Sequence, residues 1–256
     1  NRQGEEDEPA GWLSSSFPRA PLCVSKIHPR AQKHSLYLRK HFSFEQKPMN
    51  ATFYFSCAGE AQFYINSKNI SDELFVQSNS SKYKEYHEID VTPFLKVGEN
   101  VICALTGNTF LNSDANANVF MNKNMLICEL VLTFGDGSVM CVPSDSSWKI
   151  CPSPIYDNDL QFGIRFDAQK QVDCWNALDF DDSSWSFASV GNADIEIRPF
   201  VKRTYPAPKI VKTLAAGTST RYHGGFLLDF CSVLSGRCTL KLKNTRAGQK
   251  IKITYF

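Results

Sequence analysis

The 256-residue sequence lacks any run of about 20 apolar residues, the length a helix needs to cross a bilayer. Its longest apolar stretch, Met125 to Phe134, is interrupted by Glu129. It also lacks an excess of either charge: 28 Lys+Arg stand against 26 Asp+Glu, with no basic stripe. That argues against nucleic acid, because neutralising phosphates takes clustered cations. The nine cysteines are odd in number and include no C-x-x-C pair, which removes zinc knuckles and thioredoxin-like motifs. The five histidines form no H-E-x-x-H, and neither a G-x-S-x-G elbow nor a glycine-rich phosphate loop occurs. The composition is not that of a disordered, collagen-like or coiled-coil chain. These exclusions leave a globular protein with a neutral or small-molecule partner.

What is abundant is aromatic and apolar residues at period two. Apolar residues make up 43%, with 19 Phe, 9 Tyr and 4 Trp, enough for a substantial core. Phe53, Phe55 and Cys57 fall on one side of a strand, and Phe63 and Ile65 repeat the pattern. Val101 to Leu105 is apolar on both faces and reads as a central strand. Leu126, Cys128, Leu130, Leu132 and Phe134 point one way, with Glu129 and Thr133 opposite. Asp136-Gly137 reads as a tight type I′ turn returning into Val139 to Val142. Helices are few: a short turn over Asp90–Leu95, with Thr92 as cap and Pro93 at the first helical position, and a second over Phe180–Ala188.

These patterns predict an all-β jelly-roll (galactose-binding-like) β-sandwich over residues 34–198, preceded by a leader over 1–33. The texture changes after Ser189, with Pro199, Pro206 and Pro208 marking a linker. Residues 199–256 read as the start of a second, partial β-sandwich whose strands begin near Gly225. Lys250 to Phe256 alternates as a half-buried strand, and the expectation is of a chain cut from something longer. The acidic run Glu5-Glu6-Asp7-Glu8 reads as a solvated leader, and most cysteines as small buried hydrophobes. Sequons lie at Asn50, Asn69 and Asn79, and matter only in a eukaryotic secretory path.

No catalytic constellation stands out. A glycosidase needs two carboxyls about 5–10 Å apart across a cleft, and sequence spacing in a sandwich does not set that distance. Asp179, Asp181 and Asp182 look like a metal cluster, but Asp181-Asp182-Ser183-Ser184-Trp185 reads equally as a solvated turn closed by a buried Trp.

An ordered series of motifs does carry information. Leu36-Tyr37-Leu38-Arg39-Lys40-His41-Phe42 resembles the Y-L-R-K-x-F strand that opens sandwich domains of glycoside hydrolases. Phe63 to Ile70 is similar to their Y-I-N-G-K-x-V hairpin, and Tyr86 to Ile102 to Y-x-x-x-D-V-T-x-x-L-x-x-G-x-N-x-I. Asp136-Gly137 with Ser146-Ser147-Trp148-Lys149, Phe162 to Gln169, Trp175-Asn176 with Phe180 to Trp185, and Leu228 to Cys231 with Arg246 to Ile251 then resemble motifs of bacterial α-L-rhamnosidases. The resemblance runs colinearly over about residues 34–256. Departures include Ser67 for the hairpin Gly, Cys231 for the Gly of D-F-G, and Thr109-Phe110 where relatives often carry G-W after Gly107-Asn108.

The resemblance implies the non-catalytic amino-terminal region of an α-L-rhamnosidase-like glycoside hydrolase, with no catalytic residue in this chain. In that family the acid and base sit on a following (α/α)₆ barrel and cleave terminal α-L-rhamnosides by inversion. Implied partners are a rhamnose-containing carbohydrate and the downstream catalytic domain of the same polypeptide, in a periplasmic or extracellular place. Candidate carbohydrate contacts are Asp72, Glu73, Asn108, Phe110 and Trp175, although Phe110 and Trp175 read more readily as buried core aromatics. Some relatives hold calcium beside rhamnose in the loop after this hairpin. Asp72 matches its acidic position, Glu73 falls where an Asn is common, and Asn112, Asp114 and Asn116 could supply further oxygens, the alternative being that these are polar loops; otherwise no cofactor is expected. The rival readings are a stand-alone carbohydrate-binding module and an accessory domain of a β-galactosidase-like enzyme.

Overall fold

A computed structural model describes residues 23–24, 34–71, 76–77, 84–107, 125–159, 163–190, 200–205, 210–234, 236 and 238–255. The chain divides into two units, Asn1–Pro208 and Lys209–Phe256. The alternating segments of the first unit become strands because one face of each is apolar and must be buried. They are β1 (Cys23–Val24), β2 (Leu36–Phe44), β3 (Asn50–Ala58), β4 (Glu60–Ile65), β5 (Lys68–Asn69), β6 (Val76–Gln77), β7 (Lys84–Asp90) and β8 (Gly98–Gly107). There follow β9 (Met125–Thr133), β10 (Val139–Pro143), β11 (Lys149–Pro152), β12 (Ile155–Asp159), β13 (Gly163–Phe166), β14 (Ser186–Phe187), β15 (Ser189–Val190) and β16 (Phe200–Lys202).

One sheet runs β15-β1-β9-β3-β7-β16, with β10 also on β9; the other runs β14-β11-β2-β8-β4-β5, with β6 on β4. Pairing is antiparallel except for β16 on β7. From β1 to β4 and again from β7 to β9 consecutive strands alternate between the sheets, as in a jelly roll, while β5 and β6 stay with β4, β10 stays with β9, and β12 and β13 pair only with each other. The sharpest step is at Gly59, between β3 and β4, where a φ of 137° suits a residue without Cβ. Phe53, Phe55 and Phe63 meet in the core with centroids 4.5–5.4 Å apart and no exposed surface. Trp148 joins the core and donates its indole N–H to the Pro143 carbonyl at 3.0 Å, so its one polar group is satisfied.

Several local expectations change. The β9–β10 turn is not type I′. Asp136 has no positive φ, Gly137 has φ 83°, and Gly137 N–H donates to Phe134 O while Phe134 N–H donates to Ser138 O. That is the pattern of a type I turn closed by a left-handed bulge residue. A two-residue loop with both φ positive occurs instead at Asn66 (50°) and Ser67 (70°), between β4 and β5. Thr92 is not a cap but the first residue of a 3₁₀ turn, Thr92–Phe94; its hydroxyl accepts from Ala51 N–H at 2.8 Å, and Asp90 accepts its N–H. Phe180–Ala188 is turn and the short β14, not helix, because Asp181 accepts the Ser183 N–H and diverts the backbone into an Asx turn. Of the described cysteine side chains, Cys57, Cys103 and Cys128 are buried, while Cys141, Cys174, Cys231 and Cys238 are exposed and Cys151 is part-exposed. Most are therefore not core.

Cys23–Val24, within the expected leader, pairs with β9 and β15, and Phe200–Lys202 pairs with β7 in the first unit. Among its described residues the second unit holds one antiparallel hairpin, β17 (Thr218–Tyr222) and β18 (Gly225–Asp229), starting seven residues before Gly225. Its turn places His223 and Gly224 at φ 44° and 81°. Lys250 to Tyr255 is exposed and unpaired as a strand, because alternation needs a ladder partner to become one and the described part of this unit offers none.

Candidate functional site

The two sheets bury one face each against the other. The outer face of the β14-β11-β2-β8-β4-β5 sheet is covered in part by the segment from Trp175 to Trp185. Strand register sets two rows across that face. Lys149, Arg39, Cys103 and Tyr64 form one, and Cys151, Tyr37, Leu105 and Gln62 the next.

Arg39 sits in the middle of the first row with no exposed surface. Its guanidinium donates to the backbone carbonyls of Trp175, Ala177 (2.9 Å) and Phe180 (3.4 Å) and to the Asp182 carboxylate (3.0 Å). It also lies over the Phe180 ring at 5.0 Å. One planar, five-donor group thus gathers a loop with no regular ladder of its own. Lys149 Nζ reaches the same carboxylate at 2.8 Å, and His41 Nε2 approaches it at 3.4 Å. Burial alone would push the Asp182 carboxyl up, but the hydrogen bonds and charges of Lys149 and Arg39 outweigh it and hold it below the usual carboxylate range. Burial pushes the Cys103 thiol up to about 12 despite the Arg39 charge beside it. A second pair works the same way at the sandwich edge. Lys40 Nζ meets Asp145 at 2.8 Å and the Pro143 carbonyl at 3.1 Å, and Asp145 also accepts from Ser147.

Over the second row the loop lays down aromatic rings. Trp175 stacks on Tyr37 at 4.2 Å and meets Tyr64 edge-on at 5.5 Å, while Trp185 lies 6.2 Å from Tyr37 and nearly parallel to it. Tyr37 and Trp185 are buried; Trp175, Tyr64, Gln62 and Leu105 keep part of their surface. Burial, with Cys151, Tyr64 and Asp173 nearby, pushes the Tyr37 phenol up to about 12. The Tyr64 hydroxyl donates to Gln62 Oε1 at 2.7 Å.

Of the candidate sugar and calcium residues, only Trp175 lies among the described residues. Asp72, Glu73, Asn108, Phe110, Asn112, Asp114 and Asn116 lie outside them. Residues 181–185 form the expected turn closed by the buried Trp185, with Asp181, Ser183 and Ser184 exposed; Asp182 departs from it in being buried, its carboxylate held by Arg39 and Lys149. No three His, Cys, Asp or Glu side chains among the described residues cluster as a metal site would require. The Arg39–Asp182 and Lys40–Asp145 pairs were missed by sequence reasoning. The signal was available in two adjacent cations, Arg39 and Lys40, inside a strand whose other residues are mostly apolar.

A further pair ties the motifs together. Asn66 donates to Phe94 O and to Asn100 Oδ1 (2.8 Å) and accepts from Val101 N–H, while the fully buried Asn100 closes its own turn through Lys96 and Gly98. Asn66, Asn100, Arg39, Asp136, Trp148 and Asp182, which carry the family resemblance, all serve the scaffold.

The comparisons agree with that pattern. The sequence profile of the Alpha-L-rhamnosidase N-terminal domain matches residues 46–212. An α-L-rhamnosidase of Formosa agariphila is 25% identical over 85% of this chain and 24% of its own length, and one of Alteromonas sp. is 23% identical over 97% and 27%. The chain thus spans about a quarter of the length of these curated relatives. Among solved structures, the α-L-rhamnosidase of Dictyoglumus thermophilum superposes with TM-score 0.72 at 25% identity, over 82% of this chain and 25% of that one. The Aspergillus terreus α-L-rhamnosidase gives 0.74 at 24% identity, over 83% and 26%, and supports the fold. With the profile covering most of the all-β first unit, the chain belongs to the α-L-rhamnosidase N-terminal domain family.

Proposed function

We propose that this chain is the non-catalytic amino-terminal region of an α-L-rhamnosidase-like glycoside hydrolase. In this reading its sandwich shapes the rim of a catalytic domain elsewhere in the same polypeptide, in a periplasmic or extracellular place. The observation that carries it is the family match over residues 46–212 in a chain that spans about a quarter of its relatives. The carboxylates support it. Inverting hydrolysis needs one carboxyl to protonate the leaving oxygen and another to activate water. Asp182 and Asp145 are already held by lysines or arginine, and the low range of both carboxyls suits a permanent anion rather than an acid.

The test compares two proteins on an aryl α-L-rhamnoside and an aryl β-galactoside. The full-length polypeptide is expected to hydrolyse the rhamnoside alone, and the purified 256-residue chain neither. Turnover by the short chain that disappears on changing a single Asp or Glu in it overturns the proposal, as does full-length activity confined to the galactoside.

A further inference from the structure

The ring arrangement on the outer sheet face has a chemistry of its own. Trp175 is not in the core: it caps the buried Tyr37 and keeps part of its own surface exposed. Around it stand groups that hydrogen-bond without net positive charge. Tyr64 spends its hydroxyl proton on Gln62 Oε1, which leaves the phenol lone pairs and the Gln62 Nε2 protons with further hydrogen-bonding capacity, and both residues keep part of their surface. On the loop side, Gln171 Nε2 donates to Asp173 Oδ1 at 3.1 Å, leaving the second Asp173 oxygen as an acceptor, and both residues are exposed. Arg39 and Lys149, the cations in the same row of the sheet as Tyr64, are consumed by Asp182.

We propose that Trp175, Tyr64 and Gln62 form a subsite for one neutral pyranose ring of a glycan. A sugar presents an apolar C–H face and a rim of hydroxyls. An indole stacked on Tyr37 suits the face, and the Tyr64–Gln62 phenol–amide pair beside it suits the rim. Phosphates and other anions are disfavoured by Asp173 and find no unpaired cation among these groups. The platform is pre-organised: Arg39 pins the loop through the Trp175, Ala177 and Phe180 carbonyls, so little order remains to be lost on binding. Arg39 is a positioning residue here and touches no ligand. The inference rests on the accessory-domain reading only for its choice of probes.

The 256-residue chain would be titrated with L-rhamnose, D-galactose and a rhamnose-containing oligosaccharide, by calorimetry and by NMR of the indole N–H resonances, with and without EDTA. Binding on the order of millimolar is expected for a single ring. It should shift the Trp175 resonance and persist in EDTA. Gln62→Ala should weaken it about fivefold, the loss of one neutral hydrogen bond, without moving the urea midpoint. Trp175→Ala should abolish it, and Gln62→Ala keeps the test valid if the loss of the Tyr37 stack unfolds that variant. The proposal is overturned if no probe shifts the Trp175 resonance, if binding is unchanged in Gln62→Ala, or if binding vanishes with EDTA. Because the readout is binding by this chain, its failure leaves the activity test of the full-length polypeptide untouched.

Discussion

Arg39 shows how one side chain decides a local structure. A guanidinium without exposed surface is stable only if its charge is matched and its donors are used, and Asp182 together with the loop carbonyls does both. Removing one partner leaves the other buried and unmatched. Asp182→Asn should cost about 3 kcal/mol, read as a lower urea midpoint at unchanged m-value, and Arg39→Met should cost a similar amount. Lysine should not rescue Arg39, since a point charge cannot span the carbonyls and the carboxylate together. The pH dependence follows from the lowered Asp182 carboxyl. Its contribution is present above the unfolded-state value of about 3.9 and is lost as pH falls through the lower folded-state value. Thermal unfolding between about pH 5 and 2 should show this loss, and Asp182→Asn should flatten it. Thiol reactivity separates the cysteines. Brief alkylation of the native chain followed by mass spectrometry should label Cys141, Cys174, Cys231 and Cys238 and spare Cys57, Cys103 and Cys128.

At the scale of elements, turns show how far local sequence carries. The β4–β5 loop holds Ser67 at φ 70°, where an L-residue is strained and glycine is not. Ser67→Gly should raise stability by about 0.5 kcal/mol, because the Ser67 N–H to Asn176 O bond survives and only an exposed hydroxyl contact is lost. In the β9–β10 turn the strain lies at Gly137 alone. Gly137→Ala should cost about 1 kcal/mol, while Gly135→Ala, at an ordinary φ with open space around its Cβ, should not destabilise. Denaturant titration of the three variants checks the order. The strands themselves were legible, since the inward runs Phe53-Phe55-Cys57 and Leu126 to Phe134 need only period two. The turn type was not. Asp-Gly suits both a type I′ turn and a type I turn with a bulge, and the extra Gly135 that selects the second gains meaning only when Thr133 pairs with Val139. The helix expected over Phe180–Ala188 failed for a similar reason: its two aspartates look like a helix start, but one bends the chain and the other answers Arg39, 143 residues away along the chain.

At the scale of the molecule, burial differs sharply between the units. The inner faces of β3, β8 and β9 have almost no exposed surface, whereas the strand residues of the β17–β18 hairpin are exposed apart from Leu227. A lone two-stranded hairpin is marginal in water. Hydrogen exchange on the 256-residue chain should find β3, β8 and β9 amides slowest and β17–β18 amides faster by orders of magnitude. Equal protection in both units would contradict that burial pattern.

The alternation of apolar residues was enough to determine an all-β protein with β8 and β9 deep in it, because burying one face of a strand is a local demand repeated every second residue. The motif order likewise placed the chain in its family. Only the tertiary structure decided which motif residues meet. Arg39 finds Asp182, Lys40 finds Asp145 and Asn66 finds Asn100 across separations of 143, 105 and 34 residues. Trp175 becomes a surface platform because its loop is pulled onto the outer sheet face. A buried charge must seek its partner in space, and spacing along the chain does not encode that distance.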